Sequence, residues 1–256
     1  MLIHSHACAF NIITKMEKKI DIVIPLGIGS KHDDSELKYC LRSIQKHVKN
    51  LGNVFIVGHK PKWLCNVIHI PCDDINAKNK DANIIRKVIK ACDNPKLKEN
   101  FIRMSDDQIF LQDVYDIPLL RDGLMFKKIK NILITNRWQK RFKNTCKLFD
   151  NAFIFDTHTP QPYKKSEFIE LPERYKDIYV DGRGYIINSL YFNHFGYTTD
   201  KLSKDYKLDV RSPMSYEEIT NGIKSKLYLS YNNSGFNTDL QRYLEKTFSK
   251  KSKFEK

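Results

Sequence analysis

The first strong pattern along the chain is Ile20 to Pro25 (IDIVIP), a short and nearly continuous apolar run. A strand with one wet face alternates apolar and polar residues, so an unbroken run of this length predicts a strand covered on both faces, as in parallel sheets. After the polar loop GSKHDDSE, the stretch ELKYCLRSIQKHV puts Leu37, Cys40, Leu41, Ile44 and Val48 at helical spacing. The pattern then recurs. NVFIVG (53–58) and VIHIP (67–71) predict further strands, and ANIIRKVIKAC (82–92) a second helix. Such alternation predicts an α/β fold around a mostly parallel, right-handed sheet.

In ENFIRMSDDQIFLQDV an apolar strand, Phe101 to Met104, runs into Ser105-Asp106-Asp107, and apolar residues resume at Ile109 to Leu111. The two carboxylates are therefore expected at the carboxyl end of a strand, where open α/β sheets bind ligands. Beyond Pro118 the alternation weakens. ILIT (132–135) and AFIF (152–155) suggest strands, and the Tyr-rich segment from Tyr175 to Tyr197 a mixture of elements. DLQRYLEKTF begins as an amphipathic helix, and the chain is expected to end in a basic, mobile tail. A short echo links Phe155-Asp156-Thr157-His158-Thr159-Pro160 to Leu208-Asp209-Val210-Arg211-Ser212-Pro213, which two copies of similar turn chemistry would explain. The expected organisation is an extension (1–15) before Met16, the two halves of one catalytic unit (16–120 and 121–245), and the tail (246–256).

Composition narrows the class. With 41% hydrophobic residues, 15 Phe and 13 Tyr among 256, the chain can bury enough apolar surface to offset ordering entropy, which excludes a disordered protein. A formal net charge of +14 favours polyanionic partners such as nucleotides, nucleic acid or an anionic surface. The six cysteines form no C-x-x-C pair and most lie in apolar periodic segments, as expected of reduced thiols in a cytoplasmic protein. No window approaches the roughly 20 apolar residues of a membrane span, and the N-terminus lacks the basic start of a signal peptide. Bacterial cytosol or a phage-infected host would suit this reading.

A strand-end carboxylate pair can hold Mg2+ or Mn2+, which bridges phosphate oxygens and neutralises charge on a departing diphosphate. Asp106 and Asp107 fit that task, although Ser-Asp-Asp also suits a plain polar turn. His158 is the strongest ligand or base of the second half, because imidazole binds transition metals and titrates near neutral pH. A histidine bonded into the turn before Pro160 is the alternative, and His194, among aromatic residues, suits a packed role.

ELKYCLRSIQKHVKNLGNVFIVGHKPKWL, NKDANIIRKVI and NFIRMSDDQIFLQDV, in this order, resemble the GT-A glycosyltransferases. They are also similar to the central region of the Stealth family of capsular-polysaccharide sugar-phosphate transferases. The likeness covers residues 20 to 115 and is loose in DTHTPQPYKK, NSLYFNHFG and FSKKSKFE. It implies a GT-A-like (Rossmann-like), mostly parallel sheet flanked by helices, with a less regular C-terminal half. It also implies a nucleotide-sugar donor, a UDP-sugar first of all. Pro25, Leu26, Gly27 and His32, with Gly58 and His59, would line the base and ribose, while Lys80, Asp81, Asn83 and Arg86 would face ribose, sugar and diphosphate. Asp107, Asp106 and His158 would hold the metal. Asp156 and Asp181 are the candidates for a catalytic base, and Arg42 for a structural partner of a core carboxylate. The chain departs from the resemblance twice. Ser105 stands where most GT-A enzymes carry the first Asp of Asp-x-Asp, which favours Asp107 as the direct ligand. IVIPLG replaces the Tyr-Thr-Trp-Val-like strand of the Stealth pattern, which favours glycosyl transfer over sugar-1-phosphate transfer.

Leu124 to Lys147 carries eight basic residues and no acid, with Phe126, Trp138 and Phe142 between them. Lys127, Arg137, Trp138, Lys140, Arg141 and Lys143 are thus acceptor candidates, since bases neutralise phosphates and aromatics stack on unpaired bases. A solvated basic face, or a site for an acidic glycan, explains the same composition. Three functions remain: a glycosyltransferase acting on a glycan, one acting on modified-base DNA as in some bacteriophages, and a non-enzymatic nucleic-acid-binding protein.

Overall fold

A computed structural model describes residues 19–76, 78–129, 134–180 and 183–256. The 1–15 extension, Lys130, Asp181 and the first half of ILIT lie outside the described residues. The expected alternation is present as β1 (Ile20–Leu26), α1 (Ser35–His47), β2 (Leu51–Gly58), β3 (Ile68–Ile70), α2 (Lys80–Cys92) and β4 (Asn100–Arg103). With β6 (Gln161–Lys164) these strands form a five-stranded sheet of order β3-β2-β1-β4-β6. β1, β2, β3 and β4 are parallel, and only β6 runs the other way, against β4.

Two-residue periodicity divides the core. Ile22, Ile24 and Leu26 of β1, with Val54 and Ile56 of β2, pack on Leu37, Cys40, Leu41 and Ile44 of α1. Val23, Phe55 and Val57 point the other way, against Ile85, Val88 and Ala91 of α2. Helices therefore cover both faces, which is why these strands are apolar at nearly every position. The fold is α/β with a mostly parallel sheet flanked by helices.

Residues after β4 build a second, three-stranded sheet, β5-β8-β7, from β5 (Gln108–Phe110), β7 (Lys207–Val210) and β8 (Tyr228–Tyr231). Val210, Tyr228, Leu229 and Tyr231 join the α1 side of the core, as do Ile219 of α7 (Tyr216–Gly222) and Leu240 and Leu244 of α8 (Thr238–Thr247). Phe168 of α5 (Lys165–Arg174) and Leu190, Tyr191 and Phe192 of α6 (Ile187–His194) extend the α2 side. A third, small core lies under α3 (Met125–Ile129) and α4 (Arg137–Cys146), formed by Met125, Phe142, Ala152, Ile154 and Ile186.

Two expectations fail for clear reasons. AFIF (152–155) is no strand beyond an isolated bridge between Phe153 and Leu124. Side chains of α6 take the place of a strand neighbour: Asn193 brackets the Phe153 backbone with two hydrogen bonds, at 2.8 Å each, and Ser189 accepts from Phe155 N at 3.0 Å. The tail is packed against the body of the fold. Phe254 is buried, Cys65 N donates to its carbonyl at 2.9 Å, and Glu255 receives Arg42 in a forked pair at 2.8 and 2.6 Å. Arg42 is thus the structural partner of a carboxylate, that of Glu255. The five described cysteines are free. Among the described residues no helix is long and apolar enough to cross a membrane.

Candidate functional site

The carboxyl ends of β1 and β2 meet through two glycines. Gly58 has φ +114°, and a Cβ there would lie 2.2 Å from the Leu26 carbonyl oxygen, so only glycine fits. A Cβ on Gly27 would come within 3.1 Å of Asp74. Beneath them Lys87 donates to Leu26 O at 2.8 Å and pairs with Asp74 at 2.6 Å. Pro25 pairs with Val57 in the sheet. In the loop after β1, Ser30 Oγ accepts from His32 N and Asp34 N (3.1 and 3.0 Å) and donates to Glu36 at 2.8 Å. His32 meets the edge of Phe236, and His59 lies 3.4 Å from Asp34. Pro25, Leu26, Gly27, His32, Gly58 and His59 are therefore gathered at one end of the sheet, with Ile28 strongly exposed (85%) beside them.

Asp106 and Asp107 form the link from β4 to β5, between the two sheets. Gln108 accepts from Ser105 N at 3.1 Å, Cys40 Sγ donates to Ser105 O at 3.7 Å, and Tyr231 N donates to Asp107 O at 3.3 Å, which fixes the turn. Both residues keep some exposed surface, but their carboxylates lie deep among protein atoms. Burial pushes both carboxyls above their ordinary range; Glu36 and Asp34 add to this for Asp106, and Asp106 adds to it for Asp107. Arg211 and Arg103 oppose the shift of Asp107. Oδ1 of Asp107 is fully covered and has no hydrogen-bond partner, and neither has the covered hydroxyl of Tyr231. Leaving such groups unpaired costs about 1–3 kcal/mol each, so a cation at Asp107 would repay what the fold alone does not.

His158 does not complete a ligand set. Among the described residues no three His, Cys, Asp or Glu side chains converge so as to hold a metal. Its backbone takes a left-handed turn, φ +49°, and its imidazole, pushed down by burial, shares its surroundings with Asp156, Arg211, Lys207 and Asp209. Two carboxylates still suit Mg2+ or Mn2+, which commonly complete their shells with water and substrate phosphate.

The wall built by α2 differs from expectation. Asn83 closes a loop on Asn76 (N at 3.0 Å, O at 3.0 Å), and Arg86 lies 4.1 Å over the Tyr179 ring and donates to Asn76 at 3.2 Å. Lys80 is exposed. Asp81 pairs with Arg141 of α4 at 2.5 Å, an ionic contact off the N–H direction rather than a hydrogen bond. Asn83, Arg86 and Asp81 thus hold the wall together.

α4 supplies that wall's outer layer. Trp138 Nε1 donates to Asp156 at 2.9 Å, and Arg141 and Phe142 are buried, so Arg141 is not a free acceptor-binding cation. Arg137, Lys140, Lys143 and, on α3, Lys127 are exposed. Lys140 and Lys147 border an open groove of about 400 Å³ with Asn144, Asp177, Arg183 and Tyr185.

Other site residues were missed. Lys207, Asp209 and Arg211 lie at β7, where Asp209 accepts from Ser230 at 2.9 Å and pairs with Arg211 at 2.7 Å and Lys207 at 3.2 Å. The echo between residues 155–160 and 208–213 was the available signal: the structure brings Asp156 and His158 into the same electrostatic neighbourhood as Asp209 and Arg211. Lys207 ties the two segments directly, donating to Thr157 O at 2.5 Å.

No family model matches this chain, and no curated protein matches it.

Proposed function

We propose that the chain is a metal-dependent glycosyltransferase that moves a sugar from a nucleotide-sugar to a polyanionic or glycan acceptor, modified-base DNA among the candidates. One observation carries this reading: a carboxylate pair at the carboxyl end of a central strand, with the covered Oδ1 of Asp107 unpartnered. Mn2+ or Mg2+ bound there would supply charge neutralisation for a departing diphosphate. Asp107 and Asp106 would hold it, between the glycine-lined ends of β1 and β2 and the Arg211 segment of β7.

In the reaction the acceptor oxygen bonds to the anomeric carbon and the bond from that carbon to phosphate oxygen breaks. The nucleoside diphosphate leaves with the electron pair. The acceptor's proton goes to a base, for which Asp156, oriented by Trp138, is the described candidate. Asp181, the other candidate, lies outside the described residues.

The test is thermal unfolding with UDP-, GDP-, ADP-, CDP- and TDP-sugars, each with and without Mn2+. A ligand that binds only the native state at 100 times its Kd stabilises by about 2.7 kcal/mol. A metal-dependent rise in Tm with one donor, lost in Asp107→Asn at unchanged fold, is expected. No rise with any donor would overturn the reading and leave nucleic-acid binding without catalysis.

A further inference from the structure

Arg211 follows β7 directly. In the sheet Val210 pairs with Tyr231, whose backbone N–H bonds to Asp107, so the β7 end lies one strand away from the acid pair. Its side chain is about a third exposed (36%), so it can be reached, yet Nη2 is completely covered and has no partner. Its Nε is fixed 2.7 Å from Asp209, and Asp209 in turn is held by Ser230 and Lys207. Asp209 is thus one carboxylate shared by two cations, and Arg211 also acts on Asp107. Lys207 is already spent on Asp209 and Thr157 O, and Arg103, which also feels Asp107, is buried and tied to Asn188 at 2.8 Å. Arg211 is therefore the reachable cation with a donor to give. The covered Nη2 is closed to a ligand where it lies, so the contact falls to the part of the side chain that is exposed, and a phosphate is the best-matched partner for a guanidinium, whose planar fork fits two oxygens at once.

We propose that Arg211 binds the diphosphate of the nucleotide donor beside Asp107, the Asp209–Ser230–Lys207 cluster holding its guanidinium ready. This rests on the donor reading of the site and names a contact which that reading does not contain. As the bond between anomeric carbon and phosphate oxygen breaks, its electron pair stays on the diphosphate, and a guanidinium hydrogen-bonded there stabilises the growing charge. Arg211 thus assists departure of the leaving group, and no proton needs to move through it.

Isothermal calorimetry on the full chain tests this, with UDP, GDP, ADP, CDP and TDP as probes, then the monophosphate and nucleoside of whichever base binds. Titrations are run in EDTA and again in Mn2+, on wild type, Arg211→Gln, Arg211→Lys and Asp107→Asn. In EDTA, Arg211→Gln should weaken the diphosphate by about 10- to 100-fold, the range of a charge-assisted hydrogen bond, and leave the nucleoside unchanged. Arg211→Lys keeps the charge without the fork and should fall between. Asp107→Asn should lose affinity only in Mn2+, which separates the cation site from the guanidinium. Far-ultraviolet dichroism and urea midpoints check folding, and if Arg211→Gln does not fold, the diphosphate-to-nucleoside ratio of Arg211→Lys decides. Diphosphate affinity equal to wild type, or an equal loss for nucleoside and diphosphate, would overturn the proposal while the donor site stands. A wild type that binds no nucleoside diphosphate would overturn both.

Discussion

Replacing Arg141 tests where the structure has put the charges of α4. Arg141 lies 2.5 Å from Asp81, and both side chains are largely buried. Burial lifts the Asp81 carboxyl to about 6 from an ordinary 3.8, against the pull of Arg141, which is the largest opposing cause. Desolvation therefore outweighs the ion pair. A carboxyl whose folded value is raised holds its proton more tightly when folded, so stability is lost as pH climbs from about 4 through about 6. At 1.36 kcal/mol per pH unit, a rise of about two units makes ionised Asp81 cost up to about 3 kcal/mol above pH 6. Asp81→Asn should recover part of that at pH 8 and nothing below pH 4. Arg141→Gln strands the carboxylate, and breaking a buried pair costs about 3–5 kcal/mol. At about 2–4 °C per kcal/mol for a chain of this size, Tm should drop by about 6–20 °C at pH 8. At pH 5 Asp81 carries its proton and the drop should shrink to the loss of packing. The double variant Asp81→Asn/Arg141→Gln should regain most of the loss at pH 8. Urea and thermal unfolding at pH 5 and 8 measure all four proteins. If Arg141→Gln is as stable as wild type at pH 8, the pair does not exist as described, and Arg141 returns to the acceptor face.

Glu255→Gln should cost about 1–3 kcal/mol in urea unfolding, since Arg42 loses a charged partner, and should speed tryptic cleavage at Lys250 to Lys253; a tail cut rapidly in wild type would contradict its docking. Gly58→Ala should lower stability by about 1–3 kcal/mol or prevent folding, because its Cβ meets Leu26 O at φ +114°. Replacing Lys140, Lys143 and Lys147 with Ala should leave Tm near wild type and flatten the salt dependence of duplex DNA binding by up to about three increments of 0.9 in log units. A gel-shift slope that does not change would remove DNA from that face.

The first half was legible because its strands are covered on both sides. IDIVIP and NVFIVG are apolar at all positions but Asp21 and Asn53 for that reason, and each run ends in the proline or glycine near which its strand gives way to a loop. Ser105-Asp106-Asp107 was visible for the same cause. The second half hides its order because side chains replace ladders. Phe153 and Phe155 satisfy their backbone through Asn193 and Ser189, residues some 34 to 40 positions away, which no local pattern announces. β6, β7 and β8 have four residues each, too short for a period to show. The docking of FSKKSKFEK is hidden in the sequence because its lysines stay exposed while only Phe248, Ser252 and Phe254 are buried.

The basic stretch from Leu124 to Lys147 shows what a linear count of charges conceals. A helix turns by about 100° per residue, so neighbours in sequence face different ways. On α4 that rotation puts Trp138, Arg141, Phe142 and Thr145 on one side, and all but the partly covered Trp138 are buried. Lys140, Lys143 and Lys147 emerge on the other, exposed. Lys140, Arg141 and Lys143, which look like one cluster, thus belong to two systems. The inner side touches Asp156 and Asp81, and the outer side faces any polyanion. In the proposed glycosyltransferase, donor and acceptor sides would therefore meet at one helix. Replacing Trp138 disturbs Asp156 and replacing Arg141 disturbs the wall of α2, whereas substitutions on the outer side leave these carboxylates untouched. Replacing the outer lysines is therefore the way to test the proposed acceptor binding without touching Asp106 and Asp107.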